Sequence, residues 1–476
     1  MNKYGKAVVV LLALSGAGCD DFIQGPGLTE NPNNPVTATA QQQLVAVQAR
    51  MATLLEGQLA RTAGIYTQQI IGSNNQQLLV TGYQYGESDY SGFFSGFYAG
   101  GGLLAIRNVQ TLAVEAGDKT LEGIGKIWEG LAVGTATSIW GDIPYSEAVS
   151  PDFLTPKLDP QQEVYAAVQT RLDEGIAALG GSQSGACEPA DLVYCATGVT
   201  RAQQHTRWIA AANTLKARFY LDLVERNGNA AYTQALAAAQ KGISEAPANA
   251  ADAAHGRGPG DFRLFHGSTQ DVDANVWAGF LTQRGGDIRA GNALVSLLKA
   301  RTDPRLSAYF AANANGDFFG LSQNNTVVGG AASEINTAVR RQFTFRQPIV
   351  TWAENQLIMA EAKFKLTGAA DAAPHVNAVR AAVGLAALPT VTFEEIMLEK
   401  YIAMFQNIAV WSDYRRTCIP VLTPNGTAAE VPGRIPYGSA ERTANPNIPL
   451  PSAFPSGTTG VSALRNWNDP TACPRP

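Results

Sequence analysis

Histidine and cysteine are scarce: the 476 residues contain four histidines and five cysteines. His205, His255, His266 and His375 have no ligand spacing near any cysteine, and no Cys-x-x-Cys occurs, so no metal centre is expected. Charged residues make up only 16%, and no basic stripe interleaved with aromatics appears. Without one, the electrostatic attraction that dominates nucleic-acid affinity is missing, and no nucleic-acid partner is expected. Also absent are a Gly-x-Ser-x-Gly elbow, His-Glu-x-x-His, a phosphate loop and a dinucleotide fingerprint; the Gly100-Gly101-Gly102 run opens none of them. No cofactor and no enzymatic activity are expected. A glycoside hydrolase remains the rival, because it needs two facing carboxylates rather than a fixed motif.

Long apolar runs are nearly absent too. Residues 7–14 form one, far shorter than the roughly 20 residues a helix needs to cross the hydrocarbon core. With Lys3 and Lys6 before it and small residues up to Cys19 after it, residues 1–18 read as a cleaved export signal. Removing them takes two of 35 basic residues, leaving 33 against 40 acidic and a net charge of −7. Residues 19–35, polar and rich in Pro and Asn, cannot bury enough apolar surface to fold alone and read as a tether. Export puts the remaining cysteines where disulfides persist. Among three possible connectivities, Cys187 with Cys195 and Cys418 with Cys473 are preferred, the first closing a short loop and the second stapling the C-terminal tail.

What is present is helical periodicity, over about 39–180, 206–244 and 351–408. Strand signals are few. Residues 181–205 and 247–350 lack helical stripes and read as loop-rich insertions, as does the tail 409–476, within a single domain over 36–476. Asp159 is the expected N-cap of a helix with Pro160 in its first turn and Val164, Val168, Leu172, Ile176 and Leu179 on one face. A second helix is expected after Thr206, burying Trp208, Ala212, Leu215, Phe219 and Leu223. Thr351 with Glu354 and Thr392 with Glu395 read as capping boxes. Alanine-rich helices in succession predict a mostly α fold of stacked, tetratricopeptide-like hairpins.

Several ordered stretches carry a family resemblance. Trp140-Gly141-Asp142-Ile143-Pro144-Tyr145-Ser146-Glu147-Ala148 resembles a signature of the SusD/RagB outer-membrane nutrient-binding lipoproteins. Asn31-Pro32-Asn33, residues 208–218, Asp303-Pro304-Arg305, residues 352–362 and Trp411-Ser412-Asp413-Tyr414-Arg415-Arg416 resemble further segments in the family's order. Ser15-Gly16-Ala17-Gly18-Cys19 resembles a lipobox, with Gly16 in place of the usual leucine. The resemblance implies a lipid on Cys19, an outer-membrane location facing the cell exterior, and a helical scaffold with an irregular ligand-binding half. It also implies a TonB-dependent, SusC-like transporter as partner and an oligosaccharide or peptide as ligand. For most of these motifs the structural reading is preferred: Gly141-Asp142 and Pro144 form a helix-ending turn, and Arg415 and Arg416 join an ion-pair network with Asp413.

A saccharide offers apolar C–H faces rimmed by hydroxyls, so its site needs flat rings beside amides and charged groups. Two stretches fit. In the first, Tyr83, Tyr85 and Tyr90, followed by Phe93 and Phe94, lie among Gly and Ser residues expected to break any helix and expose the rings. The second holds Asn275, Trp277, Phe280, Arg284 and Asp287, with Gly285-Gly286 allowing close approach. A helical scaffold that binds only protein is the other rival.

Overall fold

The computed structural model describes residues 38–181, 184–322, 331–426, 428, 430–450 and 465–473. Cys19, the export signal 1–18, the tether 19–35 and Asn31-Pro32-Asn33 lie outside the described residues. The fold is mostly α. Helix Ala40–Leu55 packs on Leu103–Ala116, which packs on Lys119–Trp140, and the chain of neighbours continues through Gln161–Leu179 and Arg201–Leu221 to Asn229–Ala239. Trp352–Leu366 then packs on Asn229–Ala239 and on its own partners Ala369–Ala382 and Phe393–Ala403.

Small residues set how closely these helices approach. A Cβ on Gly130 would meet the Leu172 side chain at 2.6 Å, and one on Gly134 would meet the Phe219 ring at 2.3 Å. Larger residues there would push the helices apart, so the glycines' helix-propensity cost is accepted for contact. Trp128, Trp208 and Phe262 meet edge to face at 5.2 to 6.1 Å and fill the space between the helices and the irregular half.

Several local expectations need correction. Asp159 does not cap the Gln161–Leu179 helix; Pro160 occupies that position, and the Asp159 carboxylate accepts from the Tyr145 and Ser146 amides at 2.8 and 2.7 Å. The Gln161 amide is instead satisfied by the Asp142 carboxylate at 2.8 Å, so both acids serve the turn after Trp140. The second helix begins at Arg201, with Thr200 and Gln203 as its capping box. Its first turn is polar, so no apolar stripe marks the start. Thr351 and Thr392 cap as expected through the Glu354 and Glu395 amides, but those carboxylates pair with Arg218 and Arg301 rather than closing the boxes.

The insertion 247–350 is not merely loop. It carries Ala250–His255, Val276–Gln283, Asn292–Ala300 and Arg305–Tyr309, each too short to show a repeating stripe. The region 409–476 holds Ala409–Thr417 and Ser439–Ala444. Arg416 meets Glu361 at 2.6 Å and Asp413 at 2.5 Å, whereas Arg415 turns away from Asp413 and lies 2.7 Å from Asp469 of the tail. The disulfides are Cys187–Cys195 and Cys418–Cys473.

Candidate functional site

The first aromatic stretch is not displayed. Glu87–Gly96 is a helix whose N-cap, Gly86, donates its amide to the Asp89 carboxylate at 2.8 Å. Glu87 and Asp89 in the first turn suit the positive end of the helix dipole, and glycine at the cap starts a helix rather than breaking one. Gly96 lets the helix approach Ala40–Leu55, since a Cβ there would meet Arg50 and Leu54 at 3.0 Å. Tyr83, Tyr85, Tyr90 and Phe94 are consequently buried, with Phe93 only half so, which corrects the expectation of exposed rings. Tyr90 and Tyr66 share a hydroxyl contact of 3.1 Å, and burial raises the pKa of both.

The second stretch is mostly structural as well. Asn275 is buried and caps Val276–Gln283, accepting from the Ala278 amide while donating to the Phe345 carbonyl, each at 2.9 Å. Trp277 is fully buried. Asp287 is buried and accepts from Asn75 at 2.8 Å; Arg284, 4.0 Å from Asp287, remains exposed. None of these but Arg284 is free to meet a ligand without rearrangement. Sequence spacing could mark the stretch as turn-rich but not which face its side chains would take.

The tertiary structure does bring the two stretches to one place. Arg61, on the helix Gln58–Tyr66, lies 4.0 Å from the Phe280 ring centroid and 5.8 Å from that of Trp277, with Tyr85 as its electrostatic neighbour. Its Nε donates to Gln58 at 3.2 Å, and its Nη1 is buried without a hydrogen-bond partner among the described residues. Burial lowers its pKa to about 10, which leaves it charged at neutral pH. A lone arginine in an otherwise uncharged helix was the signal that could have found it.

Beside this helix, Ile70–Gly72 and Ile288–Ala290 form an antiparallel ribbon with Ile70 opposite Ala290. The close fit needs a glycine at 291, where a Cβ would meet the Gln68 carbonyl at 2.1 Å. A groove of about 340 Å³ opens against the ribbon. Ile65, Ile70, Ile71 and Leu422 give it an apolar floor, and Asn292, Ser322 and Thr423 place amide and hydroxyl groups at its edge. Gln68 fixes one wall by donating to the Thr423 carbonyl at 2.6 Å. Tyr83 stands behind that wall, its hydroxyl accepting from the Asn425 amide at 3.2 Å, and burial pushes its pKa up to about 12. Among the described residues no carboxylate lines the groove, and no group of histidine, cysteine or acidic side chains could hold a metal.

Apolar floor and polar rim are what a small hydroxylated ring requires. The fold has known counterparts. A chitin-binding protein is 21% identical, with a TM-score of 0.71 over 91% of this chain and 100% of that one. A SusD/RagB family protein from Bacteroides thetaiotaomicron is 19% identical, with a TM-score of 0.69 over 91% and 99% of the two chains. A chitin-binding SusD homologue from Flavobacterium johnsoniae is 18% identical, with a TM-score of 0.70 over 90% and 98%. No curated protein matches the chain. The SusD-like_2 profile, described as starch-binding and associating with the outer membrane, matches residues 32–438, and the chain therefore belongs to that family.

Proposed function

We propose that this protein is a lipid-anchored, outer-membrane capture protein that binds oligosaccharide and passes it to a TonB-dependent transporter without cleaving it. The observation that carries the reading is the groove beside the ribbon, apolar below and polar at its edge, in a chain whose family is starch-binding. Its volume falls within the roughly 300 to 1,000 Å³ usual for small-ligand sites. Hydrolysis of a glycosidic bond ordinarily uses two carboxylates flanking the bond, and the described residues of the groove lining supply none, which favours binding over cleavage. Two structural relatives named as chitin-binding support a saccharide over a peptide.

The anchor at Cys19 and the display on the cell exterior rest on the sequence. No helix among the described residues is long and apolar enough to cross a membrane.

Thr423 is exposed at the groove edge, so Thr423→Trp should fill the mouth without disturbing the fold. Titration with starch and chitin oligosaccharides should show at least about a tenfold loss of affinity with an unchanged melting temperature. Unaltered saccharide binding by that variant rejects the groove, and shortened oligosaccharides after incubation with the wild-type protein reject passive capture. Cys19→Ala should move the protein from the membrane to the soluble fraction; retention on the membrane rejects the anchor.

A further inference from the structure

Most arginines of this chain are tied to a carboxylate, as Arg218 is to Glu354 and Arg305 to Asp303, each at 2.6 Å. Three around the Phe262–Arg263 strand are not. Among the described residues Arg207, Arg263 and Arg346 have no carboxylate within ion-pair distance, and Arg257 has only Asp252 at 3.6 Å. These residues are neighbours. Arg346 donates to the carbonyls of Arg263 and Val193 at 2.5 and 2.6 Å, and Arg263 faces Pro348, against which Gly256, next to Arg257, is packed. Arg207 precedes Trp208, whose ring meets Phe262 at 5.2 Å.

All these arginines are half-buried, and among the described residues the Nε atoms of Arg257, Arg263 and Arg346 are each buried without a hydrogen-bond partner. The nearest acids are already engaged. Asp261 accepts from the Trp352 and Gly258 amides at 2.7 Å, and Asp191 accepts from Trp208 and Gln204 at 2.7 Å. Phe265 is exposed beside the group with the Arg346 guanidinium 3.7 Å above its ring. Burial lowers the Arg346 pKa to about 9, with Arg263 and Arg207 adding to the effect, so the cations repel one another yet stay charged at neutral pH.

We propose that Arg207, Arg257, Arg263 and Arg346, with Phe265, form an oxyanion-binding patch for saccharides that carry carboxylate or sulfate groups. Guanidinium forks match such oxyanions bidentately, and four of them that share a single ion pair, Arg257 with Asp252, gain from an anionic ligand. Choosing a saccharide as the bearer of the anion rests on the capture reading above; the patch itself rests on the arginine geometry.

The test is calorimetric titration with hexagalacturonate, its fully methyl-esterified form, chitohexaose and a thymidine oligonucleotide. Hexagalacturonate should bind at least tenfold tighter than its ester, and the tighter binding should weaken with added salt. Among the described residues, R207Q/R257Q removes no hydrogen bond and only the half-exposed 3.6 Å Arg257–Asp252 ion pair, so it should bring the acid down to the ester's affinity while leaving chitohexaose binding and melting temperature as in wild type. R257K should keep most of the preference. Equal affinity for acid and ester, a double variant that keeps the preference, or an oligonucleotide bound as tightly as hexagalacturonate each overturns the proposal. Binding of chitohexaose without any acid preference overturns the patch alone, whereas no binding of any saccharide overturns the capture reading as well.

Discussion

The Arg218 guanidinium grips the Glu354 carboxylate through both Nε and Nη2, each at 2.6 Å, across 136 residues of sequence. Both side chains are buried, and Arg218 also donates to the Ile349 carbonyl at 2.7 Å. The pair thereby ties the Arg201–Leu221 helix to the start of Trp352–Leu366 and to the strand before it.

Glu354→Ala leaves a buried guanidinium without its partner and should lower unfolding free energy by about 3 to 5 kcal/mol, read from chemical denaturation. R218M/E354L, which removes both charges, should recover a large part of that loss. A single variant as stable as wild type would show the pair to be solvated.

Trp277 is fully buried and its ring lies beside the Arg61 guanidinium. Trp277→Ala should cost about 3 to 5 kcal/mol through the cavity it leaves. A melting temperature near wild type would return Trp277 to the list of ligand platforms.

Cys418–Cys473 closes a loop of 55 residues and holds the segment 465–473, where Asn468 donates to the Asp222 carbonyl at 2.8 Å. Loop-closure entropy gives a loss of about 4 kcal/mol for the Cys418→Ser/Cys473→Ser variant. Cys187–Cys195, separated by 8 residues, should cost less, roughly 2.5 kcal/mol by the same relation. Equal losses would mean that native contacts of the tail, rather than chain entropy, set the effect.

His255 is buried at the end of a short helix, and burial together with Arg340 and Arg257 lowers its pKa to about 3. The unfolded chain binds a proton near pH 6.5, whereas the folded one does not until near 3. The stability contribution is therefore complete above pH 6.5 and lost as pH falls toward 3, by about 1.4 kcal/mol per unit at most. His255→Gln should flatten that part of the stability profile in denaturation series between pH 4 and 7; a parallel profile would place the proton elsewhere.

Part of this was legible in sequence because it is local. The stripe from Val164 to Leu179 fixes one face of a helix at any position in a fold, and Thr351 and Thr392 cap wherever they stand. Short-range patterns failed where an element was too brief to repeat, as in Val276–Gln283, or where a polar first turn hid the start, as at Arg201.

By itself the sequence determined the helical class, the family resemblance and the absence of a metal-ligand pattern, because each depends on residue type at short spacing. The tertiary structure alone decided which rings face solvent and which arginines lack a counter-charge. Tyr83, Tyr85, Tyr90 and Trp277 carry the same chemistry buried or exposed, and their side depends on helices that arrive from far along the chain. Likewise Arg207, Arg263 and Arg346 are ordinary, scattered cations in sequence, and come near one another only because the Phe262–Arg263 strand meets the Arg346 guanidinium and the Trp208 ring.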